Sequence, residues 1–149
     1  MEASSAENTL TAVRVFDMPR DKVYGAWADP ELLARWWGPN GFTNTFHEFA
    51  FKEGGQWRYT MHGPDGKDYP NHNVFEQIVP QERIAVRHLS GHEFLLTAVF
   101  EDAGGGTRLT FRQQFMVAEE YEQAKPYCVE GNEQNLDRLG ALLHEQENA

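Results

Sequence analysis

The sequence predicts one α+β domain, a curved antiparallel sheet of about six or seven strands wrapped around a long C-terminal helix. Three observations predict it. Between Phe42 and Phe115, short apolar–polar alternations are separated by Gly- and Pro-bearing turns, which is the pattern of strands joined by hairpins. From Ala118 to Gln146 the period changes to 3.6 residues. Tyr121, Ala124, Cys128, Asn132, Asn135, Leu136, Leu139, Leu142 and Leu143 then share one face, opposite Gln123, Glu130, Glu133, Asp137 and Glu145. Hairpin-linked strands leave one apolar face to be covered, and this terminal segment is the only element long enough to cover it.

Composition bounds the rest. A chain of 149 residues that is 40% hydrophobic and 13% aromatic fits a single domain with a substantial core. We read residues 9–146 as that domain, with tails at 1–8 and 147–149. The net charge of −10, with thirteen scattered Lys and Arg, provides no basic stripe for nucleic acid. No run approaches the ~20 apolar residues of a membrane span. The first residues lack the basic and apolar regions of a secretion signal, so a cytoplasmic location is expected. The single cysteine, Cys128, excludes an intramolecular disulfide.

In chain order, Thr9 to Met18 alternates as a strand ended by Pro19. Val23, Tyr24, Ala26 and Trp27 mark a short amphipathic helix over Arg20 to Ala28. Asp29-Pro30-Glu31 starts another, with Asp as N-cap and Pro at the first helical position, and Gly38-Pro39 stops it. Phe42 to Phe51 is a strand whose apolar phase changes, which predicts a bulge. Gln56 to His62 alternates strictly, with Trp57, Tyr59 and Met61 on one face. Lys67 to Val79 follows as a strand ended by Pro80. Arg83 to Leu89 and Glu93 to Phe100 flank the Ser90-Gly91 turn. Thr107 to Phe115 alternates after Gly104-Gly105-Gly106. In the terminal helix, Pro126 predicts a kink or a fresh start.

Several stretches, in order, resemble the START-like (SRPBCC) superfamily, and within it the bacterial proteins similar to the C-terminal domain of the heat-shock protein 90 ATPase activator. They are Val15-Phe16-Asp17-Met18-Pro19 with Ala26-Trp27, Asp29-Pro30-Glu31-Leu32-Leu33-Ala34-Arg35-Trp36-Trp37-Gly38-Pro39, and Gly54-Gly55-Gln56-Trp57-Arg58-Tyr59. Pro64-Asp65-Gly66, Ile78-Val79-Pro80-Gln81-Glu82-Arg83-Ile84, Gly106-Thr107-Arg108-Leu109-Thr110 and Asn135-Leu136-Asp137-Arg138-Leu139 complete the series. The resemblance spans roughly Leu10 to Leu143 and implies a helix-grip (Bet v 1-like) fold. It also implies one of several roles: hydrophobic-ligand carrier, cyclase, or stress-related co-chaperone with a chaperone partner. This chain departs from the pattern at Asn132, where Trp is usual after the glycine, at His88, where an aromatic is usual, and at Ala50, where an acid is common. Asn132 and His88 imply a roomier, more polar cavity.

The leading expectation is a non-catalytic domain that holds a small, mostly apolar ligand between sheet and terminal helix. The inner helix face carries it: all leucine at its C-terminal end, but Gly131, Asn132 and Asn135 in its middle. The expected lining is Trp57, Tyr59, Met61, His88, Gln113, Tyr127 and Asn132. Trp36 and Trp37 point about 100° apart on a helix. One is therefore expected in the core and the other, taken as Trp37, at the cavity mouth or an interface. A cyclase- or hydrolase-like enzyme would use His88 or His72 as base, with Glu76 a further acid/base group and Tyr59 and Tyr127 as donors. Cys128 reads as a buried small hydrophobe. His88 and His92 could meet across their hairpin, but two imidazoles make only half a zinc site, so no metal and no cofactor are expected. The oligomeric state is left as monomer or homodimer.

Overall fold

The computed structural model describes residues 7–147; of the expected tails 1–8 and 147–149, residues 1–6 and 148–149 lie outside the described residues. The elements are β1 (Thr9–Phe16), α1 (Arg20–Ala28), α2 (Pro30–Trp36), β2 (Thr43–Phe49), β3 (Gln56–His62), β4 (Asp68–Val79), β5 (Arg83–His88), β6 (Phe94–Ala103), β7 (Gly106–Phe115) and α3 (Ala118–Glu147). The strands form one sheet in the order β1-β7-β6-β5-β4-β3-β2, with every pairing antiparallel. The expected bulge lies between Phe46 and Glu48 of β2. A second, at Phe75/Gln77 of β4, has no counterpart in the apolar pattern of that strand.

The period-2 alternation sends one set of side chains to α3. Leu109, Phe111, Gln113 and Phe115 of β7 are buried, while Arg108 and Arg112, of the opposite parity, are exposed. Two apolar clusters result. The larger joins Trp27, Trp36, Trp37, Trp57, Phe75, Phe100 and Phe111 to Leu136, Leu139, Leu142 and Leu143 of α3. The smaller joins Leu10, Phe115 and Ala124, under the N-terminal half of the helix.

Both Trp36 and Trp37 are buried, which corrects the expected split of core and mouth. The 100° rule holds only within a helix. The helix ends at Trp36, and Trp37 is an extended C-cap residue (ψ 130). The chain therefore turns between the two rings, and both enter the core. The N-cap of α2 is as expected: the Asp29 carboxylate accepts from Glu31 N at 3.0 Å. Pro126 lies within α3 without starting a second helix. Its ring costs a single donor, and the turns on either side retain theirs.

The Asn-Leu-Asp-Arg-Leu run of α3 docks the helix. Asn135 Oδ1 accepts from Gly38 N at 3.1 Å, and Arg138 donates to the carbonyls of Arg35, Trp37, Gly38, Pro39 and Phe42 at 2.9–3.4 Å. Asp137 accepts from Arg14 of β1 at 2.8 Å. Gly38 must be glycine: its φ is +101°, and a Cβ there would sit 2.5 Å from Met61 Cε.

Candidate functional site

Between the two apolar clusters lies a band of polar side chains on the inner sheet face. It begins on β3, where alternation buries Trp57 and Tyr59 and half-buries Met61. Cross-strand pairing puts Tyr59 beside Asn71, and Trp57 beside Asn73, of β4. The Tyr59 hydroxyl oxygen accepts from Trp37 Nε1 at 3.1 Å and from Asn73 Nδ2 at 3.4 Å. Burial pushes the Tyr59 phenol up to about 12, against the two donors, which favour the phenolate. At neutral pH the group is thus a protonated phenol.

Its valence is not complete. Tyr59 has accepted two bonds and still holds an O–H to donate, while Asn73 Oδ1 is buried without a partner. Turning the amide end for end gives Tyr59 an acceptor and leaves Nδ2 unpaired instead. One hydrogen-bonding atom of Asn73 is unspent either way, in a residue only 2% exposed. Trp57 Nε1 is buried and unpaired as well. Such groups carry a desolvation cost of roughly 1–3 kcal/mol each.

Across the band, Gln113 of β7 is buried and its Oε1 accepts from Asn132 Nδ2 of α3 at 3.1 Å. Burial raises the pKa of the nearby Cys128 thiol, with Gln113 opposing, which favours the protonated sulfur. His88 closes the β4–β5 end. It faces inward, stacks on Phe94 (centroids 4.4 Å apart, planes 10° apart) and donates from Nδ1 to His92 O at 2.7 Å. Its Nε2 lies 2.7 Å from Asn71 Oδ1 and 3.4 Å from Ser90 Oγ. Burial lowers the His88 pKa, the His92 carbonyl opposing.

The structure brings together Trp37, Trp57, Tyr59, His88, Gln113 and Asn132 on the inner side, with Met61 at the edge of the larger cluster. It does not bring Tyr127 there: that side chain is 78% exposed. The inner face of α3 is set by Ala124, Cys128, Asn132 and Asn135, and Tyr127 is one residue, hence about 100°, off it. His72 does not join His88 either. It pairs opposite Arg58 on the outer sheet face and bonds Gln56 Oε1. Glu76 sits at the β4 bulge, exposed and paired with Arg87. His88 and His92 do not face each other as rings; the His92 ring lies 3.6 Å from Glu120 instead. Among the described residues no cluster of three or more His, Cys, Asp or Glu is placed to hold a metal.

Asn71 and Asn73 escaped the sequence reading, although both share strand parity with the inward-facing Phe75. Asparagine is disfavoured in strands, and two of them two residues apart in β4 was the available signal.

A curved antiparallel sheet gripping one long helix over a core with a polar band defines the helix-grip class of START-like proteins. Within it, the chain belongs to the family of Activator of Hsp90 ATPase homolog 1-like proteins, whose model matches residues 17–144. Solved structures agree. A protein from Nitrosomonas europaea, 20% identical, superposes with a TM-score of 0.88 over 97% of this chain and 99% of its own. A protein from Arthrobacter aurescens, 26% identical, gives 0.85 over 92% and 86%. The AHSA1 protein from Silicibacter pomeroyi, 20% identical, gives 0.77 over 93% and 99%. No curated protein matches this chain.

Proposed function

We propose that this chain is a non-catalytic binding domain for a small, mostly apolar molecule held between the sheet and α3. The observation that supports it most is the unspent hydrogen-bonding atom of Asn73 beside the Tyr59 hydroxyl, both buried. A ligand with an apolar body against Trp57 and Phe94 and one hydroxyl or amide end would complete that pair. A catalytic reading finds less support among the same groups. His88 has no carboxylate among its partners, Tyr59 is held protonated, and the Cys128 thiol is raised.

Native mass spectrometry of the protein purified from its source, set against the denatured mass, tests this reading. A reproducible extra mass, lost in Asn132→Trp, is expected; indole at that position would fill the space opposite Gln113. Unchanged binding in Asn132→Trp would refute the placement. The family match also favours a second reading, a co-chaperone-like domain. Bare protein at every preparation, together with reproducible capture of a chaperone ATPase that enriches over a folded Asn132→Trp control, would favour it.

A further inference from the structure

The outer face of the sheet carries a second feature. An open groove of about 460 Å³ lies over β3 and β4, bounded by His47, Arg58, Thr60, Pro70, His72 and Ser90, with Tyr59 and Asn71 also in its lining. Its lining includes no Asp or Glu, in a chain with 23 acidic residues against 13 basic ones. Arg58 stands directly opposite His72 across the β3–β4 pair. The guanidinium and the imidazole thus lie side by side on one face, with no carboxylate in the groove lining.

Arg58 is held loosely. Its one ionic contact runs from Nε to Glu48 Oε1 at 3.6 Å, and its side chain is 58% exposed. Among the described residues the two terminal nitrogens have no partner, which leaves the guanidinium fork open for bidentate recognition. Around it stand hydroxyls and imidazoles. His47 Nε2 is 2.8 Å from Thr60 Oγ1, and Ser90 Oγ accepts from His72 N at 3.0 Å, placing that hydroxyl at the groove rim. Donors arriving from several directions suit an anion with three acceptor oxygens better than a planar carboxylate. The groove exceeds one such group, and Pro70 offers an apolar wall beside it.

We propose that this groove binds a phosphate monoester, the phosphoryl oxygens held by the Arg58 fork and by the Nδ1 sides of His47 and His72, whose Nε2 atoms are bonded to Thr60 and Gln56, with the organic part along Pro70. Its charged and imidazole groups are not those of the interior band, although Tyr59 and Asn71 belong to the lining of both.

The test is a titration of the full chain with inorganic phosphate near pH ~6, where an ordinary imidazole is partly protonated, at constant ionic strength maintained with chloride. The readout is the C2–H resonance of each of the six histidines. His47 and His72 are expected to shift along a saturation curve, with His92 and His144 unmoved. Arg58→Gln should weaken binding about tenfold or more, as a charged hydrogen-bond fork is lost. Glu48→Gln should tighten it roughly two- to fivefold by releasing Arg58 from its exposed ion pair. Both positions are exposed, so unchanged thermal midpoints certify the fold of the variants. Equal, non-saturating drift of all six histidines, or the same curve in Arg58→Gln, would overturn the proposal. Neither result touches the interior ligand, which is read by mass.

Discussion

Tyr59 is where a single residue ties stability to the site. Its phenol titrates near 10 in the unfolded chain and is pushed up to about 12 by burial in the folded one. Between those values the native state holds a proton that the unfolded chain releases, so stability is intact below pH ~10 and falls as pH rises through the folded value. Two units correspond to a loss on the order of 3 kcal/mol. Urea unfolding from pH ~8 to ~12 should show that loss in the wild type and lack it in Tyr59→Phe, with the difference between the two curves isolating the one group. The variant should also be weaker at neutral pH by roughly 1–3 kcal/mol, because Trp37 Nε1 and the Asn73 amide lose their partner. Parallel curves for the two proteins would show that Tyr59 reaches solvent. The inward course of Tyr59 was legible in the strict alternation of Gln56 to His62. Its partners were not, because Asn73 meets Trp57 and Tyr59 only through a strand register that no local pattern encodes.

At the scale of the element, the device that fixes the site is the docking of α3 on the loop after α2. Arg138 supplies it without a carboxylate: two guanidinium nitrogens gather five backbone carbonyls between Arg35 and Phe42. Those carbonyls belong to a chain leaving a helix, where the last acceptors have no intrahelical donor. Burial lowers the pKa of Arg138, yet no neutral side chain could serve so many acceptors. Arg138→Met keeps the apolar stem and removes every donor; about 3 kcal/mol of stability should go with it. A chain of this size then loses ~2–4 °C in thermal midpoint per kcal/mol. Arg138→Lys should recover only part, since a point charge cannot reach both sides of the loop. A loss below ~0.5 kcal/mol for Arg138→Met would mean the loop is held by Asn44 and Asn135 instead. The Leu-Asp-Arg-Leu run was visible in the sequence as part of a family pattern; its office as a loop clamp required the three-dimensional path of Gly38 to Phe42.

On the scale of the whole molecule, the period switch from two to 3.6 residues revealed the architecture because each period can bury only one face, and only one arrangement buries both. What no period could reveal is that α3 is energetically two pieces. From Leu136 to Leu143 it buries four leucines, each 5% exposed or less, in the larger cluster. From Tyr121 to Val129 only Ala124 is buried, Tyr127 and Val129 are 78% and 50% exposed, and Pro126 lacks a donor. Local opening free energy follows buried apolar contact, so the N-terminal half should open without the rest. That half covers Gln113 and the smaller cluster, and its release would uncover the polar band while the Arg138 clamp and the aromatic core stay closed. Native-state hydrogen exchange resolves the two halves. Amides of residues 122–129 should exchange through a low-energy opening insensitive to small amounts of denaturant, and those of residues 136–143 only on global unfolding. Occupancy of the interior should raise protection in the first group by the bound fraction's mass action and leave the second limited by global stability. Equal protection on both sides of Pro126 would mean that α3 moves as one body. A ligand would then have to enter past His88 and Asn71, at the end of the sheet where β4 runs on beyond β5.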